Sequence, residues 1–154
     1  MEAYRPSRII NMHTHYNRDR FAGRVAEHEN DGVVAHVFAG ISEESNRQVL
    51  QLRAEHGDWV IPFGYVDLFE RASAEEVDRL REAGHVGVKF IFAPRPYSDD
   101  AYMPIYERAA ELGLPALFHT GWVAGTRGKR SLNMAPSELE PICKCWPEWK
   151  IMAA

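Results

Sequence analysis

Apolar residues along this chain fall in short runs separated by amphipathic stretches, a rhythm that predicts strands alternating with helices. Residues 8–16 make the first strand, and the polar stretch with Phe21, Val25 and Ala26 a short helix. Gly32 to Ala39 is nearly continuous apolar sequence, the pattern of a strand covered on both faces. Ser42 offers an N-cap to a helix containing Val49, Leu50 and Leu52, and Gly57 stops it. Trp59 to Leu68 reads as the third strand, weakened at its centre by Pro62 and Gly64. Ser73-Ala74-Glu75-Glu76 has the spacing of a capping box; Val77 and Leu80 give that helix an inward edge, and Gly84 ends it.

Val86 to Phe92 is a fourth apolar run, interrupted by Gly87 and Lys89, and Pro94 to Ser98 is a rigid polar loop. Pro104 suits a first helical position, and Tyr102, Ile105, Tyr106, Ala109 and Leu112 share a helical face. Gly113 and Pro115 close that helix, and Ala116 to Gly121 is the fifth strand. After a loop over 122–135, a helix spans Leu139 to Trp146, and Lys150 to Ala154 opens a sixth strand. The alternation implies parallel strands joined by crossovers, so an α/β fold.

Composition narrows the function classes. The 154 residues fit one domain, and 45% hydrophobic with 26% charged residues is ordinary for a globular protein. The net charge of −4 and the scattered Lys and Arg point to no nucleic-acid partner and no membrane surface. The first residues lack an apolar secretory core, and Cys143 and Cys145 are too few and too close for a disulfide framework. Both observations make a reducing cytoplasm the expected location.

Chemistry collects at the predicted strand ends. His13 and His15 are two apart on the first strand, so both imidazoles leave the same face, an arrangement suited to a divalent cation, zinc first. His119 stands at the end of the fifth strand. Lys89 lies inside the apolar fourth strand, where a buried ammonium is costly unless paired or modified. In parallel α/β folds these strand ends are where ligands bind. Each residue also has a plainer reading: a surface HxH pair, a satisfied loop histidine, a lysine snorkelling to a rim. His36 reads as a hydrogen-bonded core histidine. His28, His56 and His85 read as surface residues, and the two cysteines as small buried hydrophobes.

These blocks together resemble the amidohydrolase superfamily, in particular its amidohydrolase-2 branch of metal-dependent hydrolases and aminocarboxymuconate-semialdehyde-type decarboxylases. The resemblance rests on His13-Thr14-His15, Gly87-Val88-Lys89, the run from Tyr106 to Pro115, Phe118-His119-Thr120-Gly121 and Trp146 to Ile151. It implies a TIM-type (β/α)8 barrel with a cation held by His13, His15, His119 and a strand-eight aspartate. It also makes Lys89 a candidate for the carbamylated lysine of some branches, with a catalytic role. Where the superfamily usually carries Asp two before the first histidine, this chain has Asn11.

A full barrel needs roughly 250 residues. The expectation for 1–154 is therefore a single incomplete barrel domain, five βα units and the start of strand six, self-associating through open sheet edges. The implied reaction is attack of activated water on an amide, ester or lactone carbonyl of a small-molecule substrate. A nonoxidative decarboxylase of a small carboxylated substrate would use the same ligands, and an inactive remnant or binding module stays open. Arg95 and Tyr97 after strand four are candidate substrate-binding residues, with Arg127, Lys129 and Arg130 after strand five as further cations for an anionic substrate.

Overall fold

The computed structural model describes residues 8–15, 32–123 and 131–154. The predicted helix around Phe21, Val25 and Ala26 lies outside them, as do His28, Arg127, Lys129 and Arg130. In chain order the elements are β1 (Ile9–Thr14), β2 (Val33–Ala39), α1 (Glu43–His56), β3 (Val60–Tyr65) and α2 (Ala74–Ala83). They continue with β4 (Gly87–Phe90), α3 (Met103–Glu111), β5 (Ala116–Phe118), α4 (Leu139–Cys145) and β6 (Ile151–Ala153). The six strands form one sheet in the order β1-β2-β3-β4-β5-β6, every neighbouring pair parallel. Sequential order with helical crossovers is the winding of a β/α barrel, and the sheet is a partial one. No helix among the described residues is long and apolar enough to cross a membrane.

Alternation along each strand sorts side chains between two faces. Phe90 and Phe118 face outward, where Phe118 meets Phe90 at 4.7 Å, Tyr97 at 5.0 Å and Tyr106 at 5.5 Å between ring centroids. Each such aromatic pair contributes about 0.5–1.5 kcal/mol beyond its buried area, which locks α3 onto β4 and β5. On the concave face Val37, Ala39, Phe63 and Leu117 make a smaller apolar floor. Tyr65, Lys89, Leu117 and Met152 pair in one register row that shares Leu117 with it. A Cβ on Gly87 would stand 2.4 Å from the Phe63 ring, so this strand needs glycine for the ring to fill the floor.

Ends of elements follow local chemistry, with three departures. Ser42 caps α1 as expected, and Ser45 reciprocates: the Ser42 Oγ accepts from Ser45 N, and Ser45 Oγ accepts from Ser42 N at 2.9 Å. The capping box predicted at Ser73 does not form. Its glutamate, Glu76, is drawn off by the Arg79 guanidinium at 2.6 and 2.8 Å, and Arg79 also grips Glu43 of α1. His85 is buried rather than on the surface, with Nδ1 3.2 Å from the Leu80 carbonyl. The bare Cα of Gly64 opposite makes the room that Leu80 and His85 occupy. Cys143 and Cys145 are exposed, not buried, because the short α4 turns only Leu139 and Ile142 inward.

Candidate functional site

The carboxyl ends of β1, β4 and β5 bring the predicted residues to one rim. His13 Nε2 and His15 Nε2 are 3.1 Å apart. Two imidazole nitrogens bound at 2.0–2.1 Å to one tetrahedral ion would stand about 3.3 Å apart, so the pair fits two positions of such a site. His15 Nδ1 is 2.9 Å from the Ala39 carbonyl; the proton it donates there leaves Nε2 with its lone pair free for a cation. Asn11, in the position of the superfamily aspartate, accepts the His13 N–H on Oδ1 at 3.1 Å and steadies the strand end.

Lys89 reaches the pair from across the barrel. Its side chain is fully buried, not snorkelling, and Nζ comes within 3.5 Å of His13 Nε2. Burial pushes its pKa down to about 8. His13 is lowered to about 4, first by burial and then by the charges of Lys89, His15 and His119. His15 is more exposed, yet partial burial of its ring lowers its pKa too, against the Ala39 hydrogen bond, which raises it. Neutral imidazoles are the ligating form.

His119 lies just beyond β5, half-buried, its N–H given to the Phe90 carbonyl at 2.9 Å. Its ring Nε2 is 3.4 Å from the Trp122 carbonyl, an arrangement that presents Nδ1 as the donor atom. Burial, then the Lys89 charge, lowers its pKa, and the charge of His15 reaches it as well. Among the described residues, however, no three His, Cys, Asp or Glu stand close enough to hold an ion as placed. The structure joins His13, His15 and Lys89 directly and brings His119 within electrostatic range.

The two candidate substrate residues part company. Arg95 is exposed on the loop after β4 with Nη1 3.6 Å from Asp99. Tyr97 is fully buried and does not face the rim opening: its hydroxyl lies 3.0 Å from the His119 carbonyl and 3.2 Å from the Phe90 carbonyl. A substrate-binding role for Tyr97 is therefore corrected to a contact within the protein. The reason is its aromatic ring, which packs edge-on to Phe118 rather than lying on the loop surface.

Two residues beside the rim escaped sequence reasoning. Asn46 is buried on α1 and mimics a neighbouring strand, accepting from Tyr65 N at 2.7 Å and donating to Tyr65 O at 3.0 Å. A polar residue on the apolar edge of α1 was the available signal. Phe92, immediately after β4, takes a positive φ of 63°, a left-handed backbone that a phenylalanine adopts only under tertiary constraint. Nothing in its side chain announces that.

Comparison with known proteins gives a consistent family. The amidohydrolase family Amidohydro_2 matches residues 10–154. The 5-carboxyvanillate decarboxylase of Sphingomonas paucimobilis superposes with a TM-score of 0.69 at 14% identity, over 96% of this chain and 67% of that one. A Staphylococcus aureus protein assigned as an amidohydrolase gives 0.67 at 15% identity, over 95% and 66%. An Acinetobacter baumannii protein described as a 2-pyrone-4,6-dicarboxylic acid hydrolase, with citric acid bound, gives 0.58 at 13%, over 94% and 56%. This chain thus spans about two thirds or less of the length of these structures, and at such identities they establish the barrel fold alone. No curated protein sequence matches. With the family match running from β1 through β6 and taking in every residue of the rim, the chain belongs to the amidohydrolase family.

Proposed function

We propose that this chain holds the cation-binding rim of a metal-dependent hydrolase that sends activated water onto an amide, ester or lactone carbonyl. The superfamily is generally metal-dependent. The observation that carries the reading is the 3.1 Å separation of the two ring nitrogens beside a buried lysine. When bound, a divalent cation, zinc first for an all-nitrogen donor set, supplies Lewis acidity and lowers the pKa of water from 15.7 to about 7. His13 and His15 would offer Nε2 lone pairs, and His119 would offer Nδ1. Lys89 is the catalytic cation: from its buried position it meets the oxygen that gains negative charge as water adds to the carbonyl. The new C–O bond replaces the bond to the leaving nitrogen or oxygen, which departs with a proton from water. Arg95 meets an anionic end of the small substrate from the exposed loop.

A second reading, nonoxidative decarboxylation of a small carboxylated substrate, draws on the same Lys89, whose ammonium suits a carboxylate held beside the histidines. The Sphingomonas neighbour is a decarboxylase.

The test is a metal titration of chelator-stripped protein, followed by turnover of an ester, amide, lactone and aromatic carboxylate panel. Wild-type chain should take up about one equivalent, and the double variant His13→Ala, His15→Ala should lose at least about 100-fold in affinity, beyond the loss expected from an outer-shell partner alone. No uptake by the wild type overturns the reading. Uptake without turnover reduces it to a binding module.

A further inference from the structure

We infer that Tyr97 is a positioning residue for His119: its buried hydroxyl pins the main chain of His119 and so sets where that imidazole stands relative to the His13–His15 pair. The inference rests on the proposed metal-binding role of His119 for its consequence, though not for its geometry.

Three observations converge on it. The Tyr97 hydroxyl has one proton and two carbonyls within reach, His119 O at 3.0 Å and Phe90 O at 3.2 Å, so it bridges the end of β4 to the residue just past β5. Phe90 O also accepts from His119 N at 2.9 Å, which makes a closed polar knot of Phe90, Tyr97 and His119. The knot is tied to the returning chain as well. Tyr97 N donates to Asn133 O at 3.0 Å, Asn133 Nδ2 donates to Ala93 O at 3.2 Å, and Gly121 N donates to Met134 O at 2.9 Å.

Tyr97 is wholly inaccessible, with its ring edge-on to Phe118, so it cannot swing away without opening the aromatic layer. A carbonyl in that layer would be orphaned by loss of the hydroxyl, and the backbone of His119 would relax toward another partner. The same peptide is paired on its other side, where Thr120 N donates to Ala154 O at 2.6 Å, so the Tyr97 hydroxyl is what holds its carbonyl face toward β4. An imidazole displaced by a fraction of an ångström no longer meets a cation set by two other rings.

The test compares Tyr97→Phe with Tyr106→Phe. Tyr106 is also buried and also packs on Phe118, but its hydroxyl has no hydrogen-bond partner among the described residues, so the same exchange there removes only an oxygen. Two readouts are taken on the full chain: zinc affinity by competition with a chelator, and the imidazole nitrogen and carbon resonances of His119 in metal-free protein. Tyr97→Phe should weaken zinc binding by about 10–100-fold, the range for loss of an outer-shell partner, and should shift or broaden the His119 resonances while those of His36 stay put. Tyr106→Phe should alter neither. If Tyr97→Phe leaves the His119 resonances where the wild type has them, or if Tyr106→Phe moves them equally, the inference falls. A wild type that takes up no zinc sinks the proposed function, and the metal-free resonances then still decide the positioning role. Should Tyr97→Phe fold poorly, the carbonyl carbon resonance of His119 in metal-free wild type carries the test: it should lie where a hydrogen-bonded carbonyl lies, and a free-carbonyl position overturns the inference.

Discussion

At the residue scale the informative side chain is Lys89. Its ordinary pKa is 10.5 and its folded value about 8, so between these values the unfolded chain holds a proton that the folded chain has released. Stability therefore rises as pH climbs through that window; the burial penalty is fully present below pH 8 and gone above 10.5. At 1.36 kcal/mol per unit the rise is about 3 kcal/mol at most. Urea unfolding of metal-free protein across the window should show it, and Lys89→Met should flatten it. Equal pH slopes in the two proteins would mean that Lys89 is solvated. The lysine's unusual position was legible in the sequence, because an ammonium inside an apolar strand run has nowhere cheap to go. Its partner was not, since His13 lies 76 positions away in the chain. Tyr97 shows the opposite limit: a tyrosine in a Pro-rich loop looks like a surface contact until its ring is seen beneath Phe118.

At the scale of elements, β4 is the strand whose sequence is least free. Gly87 leaves room for the Phe63 ring, and Lys89 two residues on passes the floor to reach the rim. Gly87→Ala should cost about 1–3 kcal/mol, the usual penalty for overpacking, and Phe63→Leu in the same chain should recover part of it. Denaturation midpoints of the two single variants and the double measure the coupling, and strict additivity would show that the ring is not what the new methyl meets. Element order was readable from periodicity, and so were the stops at Gly57 and Gly84, both with positive φ. The capping box at Ser73 was misread because its glutamate had a stronger partner in Arg79, whose second contact, Glu43, sits on another helix. A four-residue motif contains no information about such competition.

At the scale of the whole molecule, the sheet has β1 at one edge and β6 at the other. Ile10 and Met12 of β1 are 49% and 43% exposed, an apolar stripe on a strand that pairs only with β2 among the described residues. The 154-residue chain should self-associate: its weight-average mass in light scattering should rise with concentration. A monodisperse monomer with a single cooperative melt would contradict this.

The sequence by itself determined the alternation of strands and helices, the common face of His13 and His15, and the burial problem posed by Lys89. All three follow from backbone periodicity or from the cost of a charge in an apolar run, and both are local. Only the tertiary structure decided that Lys89 meets His13, that Tyr97 grips the His119 carbonyl, and that the His119 ring turns toward Trp122. Those relations depend on how far the sheet curls and on which of several competing partners each polar group finds. Neither is written in any short stretch of chain, because each is settled by the packing of elements far apart in it.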